Sequence, residues 1–390
     1  MIKYKNFLIG LLVVAFIFHV SKFYSFYIDY SEWQYADWLI NYQAGFIRRG
    51  FIGEFLFRIY QVSGIGLDKV IFIFVVTILS FISYFLIKSV KFIQNSYTNI
   101  LIFLSPGFFL YPIMNSGIIG RKDILLIFAV GFFVFFEKKF NSIFLFFIFI
   151  LSIFVLSLSH SGQLFFIPYL VFLYVLIKSR RLEKISILEI VTILLTLILI
   201  FFLILNYQQA SDYQVSEICS SVKSFINKNC ENIAPLYFLT LSKTDHSSVF
   251  NLNQYYLNKH FLINFIFLIL VNFFFGIKLY YLKFRVKNFK LKKTNPLLIF
   301  ILLFLCTLPI YFIAIDWGRW IYMSYSCSVF LFIYCLKENL FLNNYEIRFK
   351  KFLFFIILVT YSFLWTIPFY NAESFKFTLK KPFLSILKNF

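Results

Sequence analysis

"LDKVIFIFVVTILSFISYFLI", residues 67–87, is apolar from Val70 onward apart from the hydroxyls of Thr77, Ser80, Ser83 and Tyr84. The run is too long for an ordinary strand. As an α-helix it reaches roughly 30 Å, the thickness of a bilayer's hydrocarbon core. Working outward from it, comparable stretches recur near residues 7–27, 98–115, 123–137, 142–159, 163–178, 186–205, 260–282, 296–315, 320–336 and 351–370. With 61% hydrophobic and only 14% charged residues in 390, the composition excludes a soluble globular domain. The sequence therefore predicts an all-α polytopic integral membrane protein, a single membrane domain over residues 1–390 with about eleven transmembrane helices. The stretch at 98–115 contains Pro106, Gly107 and Pro112 and is expected to be a broken or tilted helix. Residues 7–27 follow Lys3 and Lys5 without a small-residue cleavage motif, and read as a retained anchor.

The formal net charge of +20 invites a nucleic-acid reading, but in a membrane protein excess Lys and Arg mainly encodes orientation. If the N-terminus is cytoplasmic, Lys88 and Lys91, Lys138 and Lys139, "KSRRLEK" (178–184), "KFRVKNFKLKK" (283–293) and "EIRFKK" (346–351) all lie on that side. The other side then receives two larger connectors: 28–66, which includes an amphipathic interfacial helix, and 206–260. The tail from Asn371 falls there too.

This orientation gathers the unusual polar clusters on the extracytoplasmic face: "IDYSEWQYADWLINYQAGFIRRGFIGE" (28–54), "GRKD" (120–123), "SHSGQ" (159–163) and "DWGRW" (316–320). The cytoplasmic connectors hold little beyond Lys, Arg and spacers. Each cluster has a bland reading and a functional one. Arg48 and Arg49 either snorkel from a helix striped by Phe51, Ile52, Phe55, Leu56 and Ile59, with Glu54 and Arg58 off the stripe, or hold a ligand between Gly45 and Gly50. Positive residues are disfavoured in short translocated loops, which favours the ligand. Asp123 caps a helix and pairs with Arg121, or both belong to a site. Trp317 and Trp320 read as an aromatic belt, whereas Asp316 and Arg319 are three apart and share a helical face. His160 is an ordinary interfacial residue, or with Ser161, Gly162 and Gln163 it donates to a phosphate or relays a proton. His19, His246 and His260 have no such context. No histidine pair has metal-ligand spacing, and neither a metal nor a cofactor is expected. Cys219 and Cys230, eleven apart in the large connector, are expected to form a disulfide in an oxidising compartment.

Arginine's planar fork matches phosphate oxygens, and clusters at the outer membrane boundary suit a lipid-linked diphosphate better than a soluble anion. A nearby carboxylate can deprotonate a sugar hydroxyl attacking the anomeric carbon while the arginines stabilise the departing diphosphate. Inner loops well short of the ~100 residues typical of a nucleotide-sugar domain fit this chemistry. No phosphate-loop motif supports ATP-driven export.

A chain of about a dozen spans with arginines in two or more outer loops, and with one large outer loop, resembles the Wzy-type O-antigen or capsule repeat-unit polymerases. The acid-rich first outer loop followed by an amphipathic segment is also similar to GT-C-type glycosyltransferases, in which an early outer carboxylate is the base. These resemblances imply an inner-membrane polymerase joining polyprenyl-diphosphate-linked repeat units at the periplasmic face, with a chain-length regulator as a partner. Asp29, Glu32 and Asp37 become base candidates, Asp37 first because it lies closest to the arginines in sequence. The residue set is thus Asp37 or Asp316 as base with His160 assisting, and Arg48, Arg49, Arg121 and Arg319 on phosphates or sugar carboxylates. Asp123 is a further candidate. Alternatives are a GT-C-type transferase adding one sugar from a polyprenyl-phosphate donor, a flippase or transporter, and an integral-membrane acyltransferase. In a non-catalytic assembly subunit, Arg49 would simply pair with Asp37, or Arg319 with Asp316.

Overall fold

The computed structural model describes residues 2–30, 33–207, 209–225, 230, 235–236, 239, 265–285, 295–314, 316–342, 346–347 and 349–369. Regular secondary structure among these residues is all helical, apart from an isolated β-bridge between Phe284 and Phe341. In chain order the helices are α1 (Ile2–Ile28), α2 (Phe51–Ser63), α3 (Leu67–Ile93), α4 (Tyr97–Phe103), α5 (Tyr111–Met114), α6 (Ile124–Phe136) and α7 (Ser142–Ser159). They continue with α8 (Ile167–Arg180), α9 (Ile187–Asn206), α10 (Asp212–Val222), α11 (Phe265–Tyr281), α12 (Pro296–Ile313), α13 (Trp317–Lys337) and α14 (Lys351–Phe363).

Among the described residues, seven helical segments are long and apolar enough to cross a membrane: Tyr4–Ile28, Leu67–Ile93, Ser142–Ser159, Ser161–Arg180, Ile187–Asn206, Pro296–Ile313 and Trp317–Lys337. The other four expected spans are shorter or interrupted. Residues 98–115 break into α4 and α5 around Pro106 and Gly107, and α6 and α14 have 13 residues each. α11 begins where the described residues resume after position 264.

Local chemistry sets the helix ends. Ser186 accepts from the backbone N–H of Glu189 while the Glu189 carboxylate accepts from Ser186 N, a capping box that opens α9. Asn141 and Ser96 cap α7 and α4 in the simpler way, and Asn295 followed by Pro296 opens α12. Gly64, left-handed at φ 68°, closes α2.

Helix α13 is the axis of the bundle. Every residue from Trp317 to Cys335 is buried, against α6, α8 and α12 among others. Its small residues let neighbours approach closely, as between membrane helices generally. At Gly318 an added Cβ would stand 2.0 Å from the Pro368 carbonyl oxygen. Trp317 and Trp320 are buried with it, so the aromatic-belt reading is corrected: Trp317 donates its indole N–H to the Tyr311 carbonyl (2.8 Å). Helix α9 is the opposite case, with Leu188, Leu195, Ile198 and Phe202 each more than half exposed, as befits a lipid-facing helix. The stripe expected on α2 is divided: Ile52 and Leu56 are buried, while Phe55, Ile59 and Val62 are exposed.

The ends of α6, α8 and α13 remote from residues 120–123 are tied by a second charged cluster. Glu137, fully buried, accepts from Arg181 (3.3 Å) and Lys337 (3.3 Å). Glu338 meets Lys138 (2.8 Å), Lys337 (3.2 Å) and Arg180. Lys178 bridges Glu183 (3.0 Å) and Glu189 (2.9 Å), and Ser142 donates to Glu183 (2.5 Å). Lys138, Lys178, Arg180, Arg181 and Lys337, which looked like bare connector charges, are therefore paired with carboxylates.

Candidate functional site

Two connectors are sewn together at the other end of the bundle. After α1 the chain makes a 3₁₀ turn over Ala36–Leu39. Its Trp38 donates the indole N–H to the carbonyl of Gly120 (2.7 Å), and Gln34 donates to that of Gly117 (2.6 Å). Gly120 is left-handed at φ 80° with its Cα facing the Phe23 ring, so a side chain there would be both strained and crowded. Gly53 sits so close to the first connector that a Cβ would stand 1.9 Å from the Ile40 carbonyl oxygen, which pins α2 and the preceding Arg48–Gly50 against Asp37.

These constraints bring distant charged residues into one network. Arg319, buried at the start of α13, donates through Nε and Nη2 to both oxygens of Asp123 (2.6 and 2.9 Å) and through Nη1 to Asp316 (2.9 Å). Its Nη2 also stands 2.8 Å from His160 Nε2, and its guanidinium lies over the Trp320 ring. Arg121 donates to the Gly117 carbonyl (3.0 Å), lies 3.7 Å from Asp316 and stacks on Trp33 and Phe369. Trp33 is shared with Arg49, whose Nη2 donates to Asp37 (3.3 Å). Lys122 Nζ, fully buried, donates to the Arg49 carbonyl (2.8 Å) and lies 3.8 Å from Asp37 Oδ1. Gln163 donates to the Lys122 carbonyl (2.8 Å). Four cations thus face three carboxylates, with Arg48 adjacent, leaving an excess of positive charge.

The three carboxylates are not equivalent. Both oxygens of Asp123 are committed to Arg319, and Asp316 is shared by Arg319 and Arg121. Asp37 is buried too, yet its Oδ1 accepts no hydrogen bond from the described residues. Arg49 Nε, Gln163 Oε1 and Trp320 Nε1 are in the same position, so unsatisfied buried polar atoms concentrate where the charges do. Arg49 is also left-handed at φ 74°, a conformation that costs a non-glycine residue about 1–3 kcal/mol and that clusters at functional sites.

Titration follows from the same packing. Burial, reinforced by Arg49 and only partly opposed by Asp37, pushes Lys122 down to about 8. Burial, and then the surrounding Arg49, Arg319, Lys122 and Arg121, hold His160 well below the usual imidazole range. A neutral ring can accept at only one nitrogen. Arg319 Nη2 stands 2.8 Å from Nε2 and the Gly162 N–H donates to Nδ1 at 3.2 Å, so two donors face the one acceptor of a neutral ring. His160 thus stands against Arg319 in surroundings that disfavour its charged form.

Of the residues singled out from sequence, Asp37, Arg49, Arg121, Asp123, His160, Asp316 and Arg319 meet here, and Arg48 stands beside Arg49 with burial lowering it to about 10. The pairing of Arg121 with Asp123 is corrected: Asp123 turns to Arg319 and makes no side-chain cap on α6. Asp29 is exposed just after α1, and Glu32 lies outside the described residues. Lys122 and Gln163 were missed as site residues, although both stand inside the quoted motifs. Cys219 and Cys230 are joined by a disulfide (Cα–Cα 5.6 Å), and α10, which carries Cys219, reaches the first connector where Asn41 donates to Ser221 (3.0 Å). Most of the rest of the large connector, including His246 and His260, lies outside the described residues.

No protein-family model matches the chain, and no curated protein or solved structure matches it either.

Proposed function

We propose that the chain is a membrane glycosyltransferase of the polysaccharide-polymerase type, joining polyprenyl-diphosphate-linked repeat units at the outer face of the bacterial inner membrane. In this reading the shorter apolar segments complete about eleven spans, the N-terminus is cytoplasmic, and α2 lies along the outer interface. The basic connectors at the Glu137–Glu338 end then face the cytoplasm, as the positive-inside rule requires.

One observation carries the reading: Asp37 is a buried carboxylate with an oxygen not engaged by any described hydrogen-bond donor, between Arg49 and Lys122 in a network with surplus positive charge. That oxygen can take a proton from an attacking sugar hydroxyl. Arg48, Arg49 and Lys122 can stabilise the departing diphosphate without a metal ion being required of these residues. Asp316 is the weaker base candidate because two arginines hold it.

The observed Arg49–Asp37 and Arg319–Asp316 pairs also favour a second reading, in which the cluster only holds an assembly subunit together. A deletion strain complemented with wild type, Asp37→Ala or Arg49→Ala at matched protein levels tests the first, and the charge swap Asp37→Arg with Arg49→Asp, which restores a structural pair alone, separates the two. The polymerase reading expects a lipid core carrying a single repeat unit in the deletion strain and in both variants. A normal glycan ladder in the deletion strain removes it.

A further inference from the structure

An apolar groove of about 330 Å³ runs between α3, α6 and α7 beneath α2, lined by residues such as Phe74, Phe81, Leu125, Ala129 and Leu156, with Ile52 of α2 at its head. Its two hydroxyl-bearing wall residues are internally satisfied: Thr77 donates to the Ile73 carbonyl (2.7 Å) and Ser152 to the Ile148 carbonyl (2.8 Å). The wall therefore offers hydrocarbon and nothing else. Phe81 (42% exposed) and Leu151 (46% exposed) flank its open side. By helical rise it is about 10–12 Å long, from Leu125 to Phe132 on α6 and from Leu156 to Ile148 on α7.

The groove is aligned with the charged network. Ile52 follows Arg49 by three positions, Leu125 follows Lys122 by three, and Leu156 precedes His160 by four, so its head lies at the ends of α2, α6 and α7 that carry the network. An occupant complementary to both parts has one apolar chain and an anionic end. We propose that the groove receives a single hydrocarbon chain of a phosphorylated lipid whose phosphate rests against Arg48 and Arg49. The assignment rests on the reading of the network as a lipid-phosphate site, and it names which helices hold the lipid.

The test requires no turnover. The full-length protein in phosphatidylcholine nanodiscs is photolabelled with a farnesyl phosphate carrying a diazirine at the chain end, and the labelled peptides are mapped by mass spectrometry. Labelling should concentrate on 74–81, 125–132 and 148–156 and should be competed by unlabelled polyprenyl phosphate. Ala129→Trp, which fills the groove, should cut it by about tenfold, while Ile198→Trp on exposed α9 should not. If Ala129→Trp fails to fold, Val155→Trp on the opposite wall takes its place. Labelling spread evenly over lipid-facing helices, or equal competition by a diacyl phosphatidate, overturns the proposal. A labelled groove in a protein that joins no glycans leaves the groove standing and removes the enzymatic reading; turnover by wild type and Ala129→Trp alike, with no groove labelling, does the reverse.

Discussion

Replacing Asp37 by Asn keeps the side chain's shape and removes its charge. Arg49 at 3.3 Å and Lys122 at 3.8 Å lose their counter-ion. At an effective dielectric constant of about 20 the gross attractions are about 5 and about 4 kcal/mol, and desolvation offsets most of each. Asn still offers Arg49 an acceptor, so the folded protein should lose only about 2–3 kcal/mol, a moderate fall in the detergent melting temperature. Turnover should fall much further, by about 10²–10⁴, because a general base is gone. The assay is joining of a purified lipid-linked repeat unit in proteoliposomes, normalised to protein that remains monodisperse and folded. The discriminating variant is the charge swap, Asp37→Arg with Arg49→Asp. A structural ion pair is restored by the swap, whereas a base positioned against a phosphate-binding arginine is not. Turnover of Asp37→Asn within tenfold of wild type, or recovery in the swap, refutes the assignment of Asp37.

Four further outcomes follow from contacts described above. Lys122 is charged below about 8 and neutral above it, so affinity for the lipid phosphate should fall as pH rises from 7 to 9, and Lys122→Arg should remove that limb in a binding titration. Because its folded value lies below the ordinary 10.5, burying the charge is a penalty present below about 8, and this group's contribution to stability rises between 8 and 10.5. Reducing the Cys219–Cys230 disulfide, or Cys219→Ser, should lower stability by about 2–3 kcal/mol in thermal unfolding and loosen α10 from Asn41 without abolishing turnover. Glu137→Ala removes the buried carboxylate shared by Arg181 and Lys337, leaves Arg181 without a carboxylate while Lys337 keeps Glu338, and should destabilise by about 3–5 kcal/mol while folded molecules keep their turnover.

The membrane class was legible because length and apolarity alone decide it, and five of the expected spans after the first two match long helices closely or in part. The site was legible for a different reason. Charged residues are costly near hydrocarbon, so "RR", "GRKD", "SHSG" and "DWGR" stood out against their surroundings whatever their partners were. Which partner each one takes was not legible. Arg121 and Asp123 are two apart, a spacing that turns side chains away from each other, and Asp123 is claimed by an arginine 196 positions further on. Periodicity carries no information about that distance. The Glu137 and Glu338 cluster was overlooked because each acid, taken singly beside lysines, looks like a solvated loop charge; only folding shows it buried.

The bundle is fastened at the Glu137–Glu338 end and, at the other, holds a strained Arg49 and an Asp37 oxygen that no described residue engages by a hydrogen bond. Were such an object to open, it would do so like forceps, with its pivot at the riveted end and its jaws at the other. Helix α13, 21 residues long, measures about 31 Å, so a tilt of about 5° about that pivot moves its first turn by about 3 Å. That is enough to part Arg319 from Asp123 while leaving Lys337 on Glu137. An opening of this kind would displace the neighbourhood of His160 and Asp316 most and the neighbourhood of Arg181 least, whatever enters between the jaws.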